Sequence, residues 1–247
     1  MKCILACAGY ATRLYPLTEN QPKALLPVKG KPIIEYLLEK IEQVPEIDPV
    51  YIISNNKFYT KFAWWLSSIE SKFSKKIEII DTSSLTVEDQ KGALQDCLTA
   101  INQKEIDDDV LILYGDNLFD LNLRDFIKFF KEKNSTCLAC YKIPRIEDAK
   151  KYGIIETDSE NKIIEIEEKP LEPKSNLAVT GIYMIKKQDI KKIKTFYEKS
   201  KQENKLAPGF SITYFIIDLF KKQDVYAFPF SGNWVDIGSL EDYERVK

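Results

Sequence analysis

Two basic residues follow a short apolar run near the amino terminus, in a stretch rich in small side chains. The run covers residues 3–7, and Arg13 and Lys23 come shortly after it. The small residues of the turn between them are Ala8, Gly9, Ala11 and Thr12. Small side chains let successive backbone N–H groups approach a ligand, and such N–H groups bind phosphate oxygens. With a forked cation and a point charge added, the stretch has the parts of a triphosphate cradle. It has neither a G-x-x-x-x-G-K-[ST] nor a G-x-G-x-x-G pattern, and a loop with one glycine is also typical of an ordinary turn.

Two aspartates stand where a carboxylate can bind a metal ion. Asp116 follows the apolar run Val110–Tyr114 in Gly-Asp-Asn, and Asp236 interrupts an apolar run near the carboxyl terminus. Mg²⁺ prefers hard oxygen ligands, so both acids fit a magnesium site. Asp116 equally fits an Asx turn that closes a strand, and Asp236 fits a buried acid with an ion-pair partner. The residues by themselves leave these interpretations open.

Composition excludes several kinds of chemistry. The chain has 247 residues, 44% of them apolar, and no histidine, which excludes a Ser-His-Asp triad, a Cys-His nucleophile and His-ligated zinc. A net charge of −2 gives no general attraction to nucleic acid or membrane. No apolar run reaches the roughly 18 residues that span a bilayer, and Arg13 interrupts what would be a secretory signal. We therefore expect a cytoplasmic protein.

A C-x-x-C pattern, Cys137 and Cys140, lies inside a predicted strand. Side chains three residues apart on a strand point to opposite faces, so these two cannot share a metal. With five cysteines in a chain expected to be cytoplasmic, we predict buried free thiols.

Apolar runs alternate with segments of helical period, which predicts an α/β fold with parallel strands and crossover helices. The predicted strands cover residues 50–54, 77–80, 110–114, 136–143, 152–156, 162–168, 178–185 and 225–230. The predicted helices cover residues 32–44, 57–73, 92–101, 126–133, 189–201, 212–220 and 240–246. Trp64 and Trp65 are expected in the core. Ligands of open α/β sheets bind beyond the carboxyl ends of the strands, where the Gly9 loop and Asp116 would meet.

Residues 8–28, A-G-Y-A-T-R-L-Y-P-L-T-E-N-Q-P-K-A-L-L-P-V, closely resemble the N-terminal signature of the sugar-1-phosphate nucleotidyltransferases, nearest the glucose-1-phosphate thymidylyltransferase branch. That family usually has G-G-x-G-T-R-L here. Ala8 and Ala11 stand at two of its glycine positions, and each adds a methyl group facing the nucleotide. Further segments follow in the family's order: Gly92-x-x-Gln95, Gly115-Asp116-Asn117, Tyr152-Gly153, Glu168-Lys169-Pro170, Ala178-Val179-Thr180-Gly181 and the W-x-D-I-G-x-x-x-D-Y segment from Trp234 to Tyr243.

The resemblance implies a Rossmann-like three-layer sandwich with a mixed, mostly parallel central sheet, of the nucleotide-diphospho-sugar transferase type. It implies that Asp116 and Asp236 bind one Mg²⁺, that Glu168 binds sugar hydroxyls and that Lys169 binds the sugar phosphate. The implied nucleotide-binding residues are Ala8, Gly9, Ala11, Thr12, Gly92 and Gln95. The implied sugar-phosphate-binding residues are Gly153, Glu168, Lys169 and Thr180. Glu168-Lys169-Pro170 by itself is also typical of a solvated turn. Gln95 is also an ordinary helical residue, although its amide matches the acceptor–donor edge of thymine or uracil.

We expect one domain, with a nucleotide half over about 1–120 and a sugar half over about 121–247. The implied reaction is attack of a sugar 1-phosphate, such as glucose 1-phosphate, on the α-phosphorus of dTTP or UTP, with Arg13, Lys23 and Lys169 as catalytic residues. One alternative is a cytidylyltransferase acting on another phosphorylated small molecule. A second, motivated by Ala8 and Ala11, is a nucleotide-binding homologue with weak turnover. A glycosyltransferase of similar fold would need D-x-D, where Asp116-Asn117-Leu118 stands. The resemblance does not extend to the C-terminal extension of longer thymidylyltransferases, so their tetramer and regulatory site are not inferred, and homo-oligomerisation stays open.

Overall fold

The computed structural model describes residues 1–206 and 210–247, and all the predicted strands and helices occur within them. The strands are β1 (Lys2–Ala6), β2 (Pro27–Val28), β3 (Lys31–Pro32), β4 (Val50–Ser54), β5 (Ile77–Asp81), β6 (Val110–Tyr114), β7 (Asn117–Phe119), β8 (Cys137–Lys142), β9 (Gly153–Thr157), β10 (Ile163–Glu168), β11 (Leu177–Ile185), β12 (Tyr226–Phe230) and β13 (Trp234–Asp236). The α-helices are α1 (Ile33–Glu42), α2 (Asn56–Ile69), α3 (Ala93–Gln103), α4 (Leu123–Lys133), α5 (Lys187–Gln202), α6 (Ile212–Phe220) and α7 (Leu240–Val246). Short 3₁₀ helices cover Thr12–Leu14, Lys23–Leu25, Glu70–Lys72 and Ile146–Lys151. No helix in the described part of the chain is long and apolar enough to cross a bilayer.

One nine-stranded sheet runs through both halves of the chain. Its main order is β10-β9-β11-β6-β1-β4-β5, with β8 also paired to β11 and β12 paired to β8. The pairs β1–β4, β1–β6, β4–β5 and β8–β12 are parallel, whereas β11 is antiparallel to β6, β8 and β9, and β10 is antiparallel to β9. Seven strands therefore share one direction and β10 and β11 oppose it. The mixed, mostly parallel sheet is confirmed.

Helices cover both faces of this sheet. Ile34 of α1, Phe58 of α2 and Phe126 of α4 belong to one buried cluster. Residues from α3, α5 and α6 belong to the other, as Leu94, Ile190 and Phe215 show. The strands alternate their side chains between the two clusters, which gives the three-layer α/β sandwich that was expected.

The two cysteines of the C-x-x-C pattern point to opposite faces of β8. Cys137 lies in the cluster under α1, α2 and α4, and Cys140 lies in the cluster under α3, α5 and α6. All five cysteines are free and buried. The prediction that these two side chains point to opposite faces of the strand is confirmed.

The prediction that Trp64 is a core residue is wrong, because 73% of its surface is exposed. The buried stripe of α2 passes through Phe58 and Phe62, four residues apart on the same face of the helix. Trp64 lies two residues beyond Phe62, about 200° around the helix, and faces away from the sheet. Trp65 packs against the core and donates a hydrogen bond from Nε1 to Glu35 Oε1 over 3.1 Å.

Candidate active site

The carboxyl ends of β1 and β6 bring two distant loops together. Ala6 pairs with Tyr114 at the end of the parallel ladder, and Gly115 N–H then donates to Ala6 O over 3.1 Å. A Cβ on Gly115 would collide with Cys7 Sγ, so a glycine is needed where the two chains cross. Because parallel strands end at the same edge of a sheet, the loop after β1 and the loop after β6 face the same cleft.

This cleft contains many of the residues that the sequence singled out. Five of them line it: Ala8, Gly9, Ala11, Lys23 and Asp116. Gln90, Ala93, Asp96 and Tyr114, to which sequence analysis gave no role in binding, line it as well. Thr12 and Arg13 are exposed in the short helix that follows Ala11. The cradle is thus built from β1, β6 and the start of α3.

Ala11 has a left-handed backbone conformation, with φ 51° and ψ 45°. Its carbonyl accepts hydrogen bonds from Leu14 N over 2.9 Å and from the buried Thr18 Oγ1 over 2.7 Å, which hold the turn in place. A Cβ in this region is strained by about 1–2 kcal/mol, and glycine has no such strain. The glycine that the resembled family has at this position therefore matches the backbone that this chain adopts with alanine.

Ala11→Gly is expected to leave stability unchanged or raise it by up to about 1 kcal/mol, because relief of strain offsets the greater freedom of the unfolded chain. The matched change is Ala8→Gly, since Ala8 is buried and has no left-handed φ. It removes the same methyl group without relieving strain, so it should lower stability by about 1 kcal/mol. Urea denaturation measures both, and equal losses in the two variants would contradict the assignment of strain to Ala11.

Lys23 and Asp116 form an ion pair inside the cleft. Lys23 Nζ lies 2.6 Å from Asp116 Oδ2 and donates a second hydrogen bond to Ile237 O over 2.9 Å. Ile237 N–H donates to Asp116 O over 3.0 Å. Asn117 Nδ2 donates to Asp116 Oδ1 over 2.9 Å, and Trp234 Nε1 donates to Asn117 Oδ1 over 2.7 Å. Residues from three remote parts of the sequence are therefore held in one polar network.

Asp236 is brought beside this pair by the two-stranded ribbon of β7 and β13. Asp236 pairs with Asn117 across the ribbon. Burial and, after it, the negative charge of Asp116 raise the pKa of Asp236 to about 7, against the opposing effect of Lys23 and Arg13. Asp116, Lys23 and Arg13 therefore all lie close enough to Asp236 to influence its protonation.

The donor set at this point suits a divalent cation. Asp116 and Asp236 supply carboxylate oxygens, which are the hard ligands that Mg²⁺ takes. Their mutual repulsion raises the pKa of Asp236, and a cation between them would relieve it. The ammonium group of Lys23 already rests on Asp116, so the position accepts positive charge. We conclude that these residues fit a magnesium ion.

The beginning of α3 forms another wall of the cleft. Gly92 has φ 87°, and a Cβ there would lie 2.9 Å from the main-chain N and O atoms of Phe210, so only glycine suits the position. Gln95 does not line the cleft, because its Oε1 accepts a hydrogen bond from Tyr197 OH of α5. The polar side chains that this segment presents to the cleft are instead Gln90 and Asp96.

Glu168 and Gly153 face each other across the hairpin of β9 and β10. They are paired in the antiparallel register, and a Cβ on Gly153 would lie 2.9 Å from Glu168 Oε2. Ser211 Oγ donates to Glu168 Oε1 over 3.3 Å, whereas Oε2 is buried without a hydrogen-bond partner among the described residues. Burial raises the pKa of Glu168. An orphaned carboxylate oxygen beside a glycine is suited to accept a hydroxyl group of a ligand.

Tyr114 connects this hairpin with the nucleotide side. Its ring lines the cleft and packs on Gly181, which has φ 73°, and its hydroxyl accepts from Ile212 N over 3.1 Å. Burial raises the pKa of Tyr114, and the charge of Glu168 adds a smaller effect in the same direction. Glu168 therefore lies near the ring of Tyr114. Thr180 is buried on β11, and its Oγ1 donates a hydrogen bond to Ala139 O over 2.9 Å.

Lys169 follows Glu168 in a left-handed conformation, with φ 51°. Its N–H donates to Tyr152 O over 3.0 Å, and its side chain is exposed. The turn therefore sends the ammonium group outward while Glu168 points inward.

Comparison with known proteins shows the family to which the chain belongs. A family model described as Nucleotidyl transferase matches residues 2–247. The bifunctional protein GlmU of Methanocaldococcus jannaschii is 32% identical over 238 residues, which are 96% of this chain and 51% of that protein. The putative mannose-1-phosphate guanyltransferase of Sulfolobus acidocaldarius is 30% identical over 255 residues, covering 100% of this chain and 62% of that protein. The chain therefore spans between half and two thirds of the length of these curated relatives.

A solved structure shares the whole architecture. The structure of a putative glucose-1-phosphate thymidylyltransferase from Bacillus anthracis, in complex with sucrose, superposes with a TM-score of 0.85 at 27% identity. The superposition covers 100% of this chain and 93% of that one.

Proposed function

Because the chain belongs to the nucleotidyl transferase family, among the sugar-1-phosphate nucleotidyltransferases, we propose that it transfers a nucleotidyl group from dTTP or UTP to a sugar 1-phosphate such as glucose 1-phosphate. The observation that carries this proposal is the meeting of Lys23, Asp116 and the Asp236 ribbon at a cleft lined by Gly9 and its small neighbours. Similarity to the Bacillus anthracis structure, that of a putative glucose-1-phosphate thymidylyltransferase, also supports the proposal.

In this proposal an oxygen of the sugar 1-phosphate attacks the α-phosphorus. A new P–O bond forms, the bond from the α-phosphorus to the bridging oxygen breaks, and pyrophosphate leaves. The attacking oxygen is already an anion, so no general base is needed, which agrees with a chain that has no histidine. Catalysis then consists of positioning and neutralisation of charge.

The cations of the cleft would neutralise that charge. Arg13 and Lys23 hold the β- and γ-phosphates, and Arg13 follows the leaving pyrophosphate because it is exposed on the short helix beside the turn. Lys23 donates to Asp116 Oδ2 and to Ile237 O, which supports a role for its ammonium group beside the two acids. Mg²⁺ held by Asp116 and Asp236 would supply further neutralisation at the α-phosphate.

The hairpin of β9 and β10 would bind the sugar phosphate. Glu168 Oε2, buried and without a partner in the described residues, accepts sugar hydroxyl groups. Gly153 allows this carboxylate to pack against the backbone of β9, since a Cβ there would lie 2.9 Å from that oxygen. The exposed ammonium group of Lys169 steers the phosphate that carries the nucleophile.

A pyrophosphate-release screen tests the proposal. The purified protein is incubated with Mg²⁺, one of dTTP, UTP, CTP or GTP, and one of several sugar 1-phosphates including those of glucose and mannose. We expect release with dTTP or UTP and glucose 1-phosphate, and none when the sugar phosphate is omitted. Release with GTP and mannose 1-phosphate alone would replace the assigned substrates, and no release from any pair would contradict nucleotidyl transfer.

A further inference from the structure

Asp96 is an acid in a place where an apolar or small side chain is expected. It lies in the first turn of α3 between Gln95 and the buried Cys97, and only 6% of its surface is exposed. What exposure remains faces the cleft, because Asp96 is one of the residues that line it. A charged side chain is seldom buried to this degree unless it is paired.

No group in residues 1–206 and 210–247 donates a hydrogen bond to this carboxylate. Burial raises the pKa of Asp96 to about 7, and the charge of Lys91 lowers it only in part. A buried acid without a hydrogen-bond donor costs folding free energy, and a ligand that brings a donor would compensate for that cost. The carboxylate therefore points to a bound group with an N–H or O–H.

The other polar side chains near the cleft either have partners already or lie elsewhere in it, so Asp96 is the acceptor best placed to bind a ligand N–H or O–H. Lys23 and Asp116 are paired with each other on the side of the predicted metal site. Gln95 is turned to Tyr197. Gln90 presents its amide over the loop after β1, since a Cβ on Gly9 would lie 4.0 Å from Gln90 Nε2. Gly9, Ala93, Gln90 and Asp96 line the same cleft, together with the small residues Ala8 and Ala11.

We propose that Asp96 determines nucleobase specificity by accepting a hydrogen bond from the N3–H group of the uracil or thymine base. This edge of the base presents an N–H between two carbonyl oxygens. Gln90 has an amide N–H for one of the carbonyls, and Asp96 has the acceptor for N3–H. The inference rests on the proposed function only in that the cleft takes a pyrimidine nucleoside triphosphate.

The test measures binding rather than turnover. Wild type and Asp96→Ala are titrated by calorimetry, in buffer with Mg²⁺, with UTP and with 3-methyluridine 5′-triphosphate, which lacks N3–H. For a hydrogen bond to a charged group we expect the methyl group to weaken binding to wild type by about tenfold or more. Asp96→Ala should bind UTP about tenfold less tightly than wild type and should not distinguish it from the methylated nucleotide.

The matched control is Asp125→Ala, an exposed acid in the first turn of α4, which should keep the discrimination of wild type. At pH 8, where the Asp96 carboxyl group is largely ionised, equal loss on methylation in wild type and Asp96→Ala would overturn the inference, as would binding of CTP, GTP or ATP alone by wild type. Selective UTP binding through Asp96 without pyrophosphate release would support the inference and contradict the proposed function. If the protein releases pyrophosphate and Asp96→Ala still distinguishes UTP from the methylated nucleotide as wild type does, the proposed function is supported and the inference about Asp96 is contradicted.

Discussion

Asp116→Ala is expected to lower turnover at least about a hundredfold while the protein stays folded, a loss similar to that seen when one charge-stabilising group is removed from an active site. Asp116 is held by Lys23 over 2.6 Å and lies beside Asp236. Its removal takes away one of the two proposed metal ligands and leaves Lys23 with Ile237 O as its acceptor. The fold should persist, because repulsion between the two acids is lost as well. Steady-state pyrophosphate release and circular dichroism measure the two effects.

The matched control is an aspartate next to the opposite end of β6. Asp109 precedes β6, and its carboxylate accepts from Lys187 N over 2.8 Å. Asp109→Ala removes the same charge far from the carboxyl ends of the strands, so turnover should stay close to that of wild type. Arg13→Ala, by contrast, should lose about as much turnover as Asp116→Ala, since it removes a cation from the leaving pyrophosphate. Pyrophosphate release at the rate of wild type from folded Asp116→Ala would dismiss the assignment.

The sheet and the meeting of the loops could be predicted from sequence because both depend on pattern. Apolar runs such as Val110–Tyr114 mark buried strands, and parallel strands bring their carboxyl ends to one edge. Asp116 follows one such run and the Gly9 loop follows another, so their proximity needs no knowledge of side-chain positions. The fold class is confirmed for this reason. The roles of the individual residues remain predictions.

The placement of Gln95 and Asp96 could not be obtained in this way. Neighbouring residues on a helix point about 100° apart, and a motif matched by spacing does not fix the rotation of the helix. Gln95 turns to Tyr197 and Asp96 turns to the cleft. One signal was present: Asp96 lies three residues after Ala93 and four before Ala100, on the apolar stripe of α3. This signal was ambiguous, because acidic residues are also common in the first turn of a helix, where the helix dipole favours them and water solvates them.

Long-range pairing of charges was equally hidden. Lys23 and Asp116 are 93 residues apart, and either fits its predicted role without the other. The prediction for Trp64 was wrong for a different reason. Tryptophan is highly buried on average, but the rotation of α2 decides which of two adjacent tryptophans is covered. In both cases the missing information is the orientation of a side chain.

Asp96→Asn is expected to stabilise the protein, and the gain should grow with pH. Burial raises the pKa of Asp96 from 3.8 to about 7 in the folded state, so the folded chain holds a proton that the unfolded chain releases. The contribution of Asp96 to the stability of wild type therefore falls as pH rises from about 4 to about 7 and is then level, with an upper limit of ~4 kcal/mol for the loss from this one group. Asparagine carries no charge at any of these values of pH, so it removes the dependence.

Urea denaturation from pH 5 to pH 8 should show the advantage of Asp96→Asn over wild type increasing by roughly 2–3 kcal/mol. The charged or titratable groups in the field of Asp96 are Lys91, Cys97 and Tyr197, and the pKa values of Cys97 and Tyr197 are raised, so they stay neutral over this range. Asp236 titrates in both proteins and cancels in the difference. Asp125→Asn should give a difference that does not depend on pH, and the same flat result for Asp96→Asn would show that its carboxylate is not desolvated. Two results together would show that Asp96 costs folding free energy in exchange for recognition of the base. The stability advantage of Asp96→Asn over wild type would grow with pH, and Asp96→Ala would bind UTP less tightly than wild type.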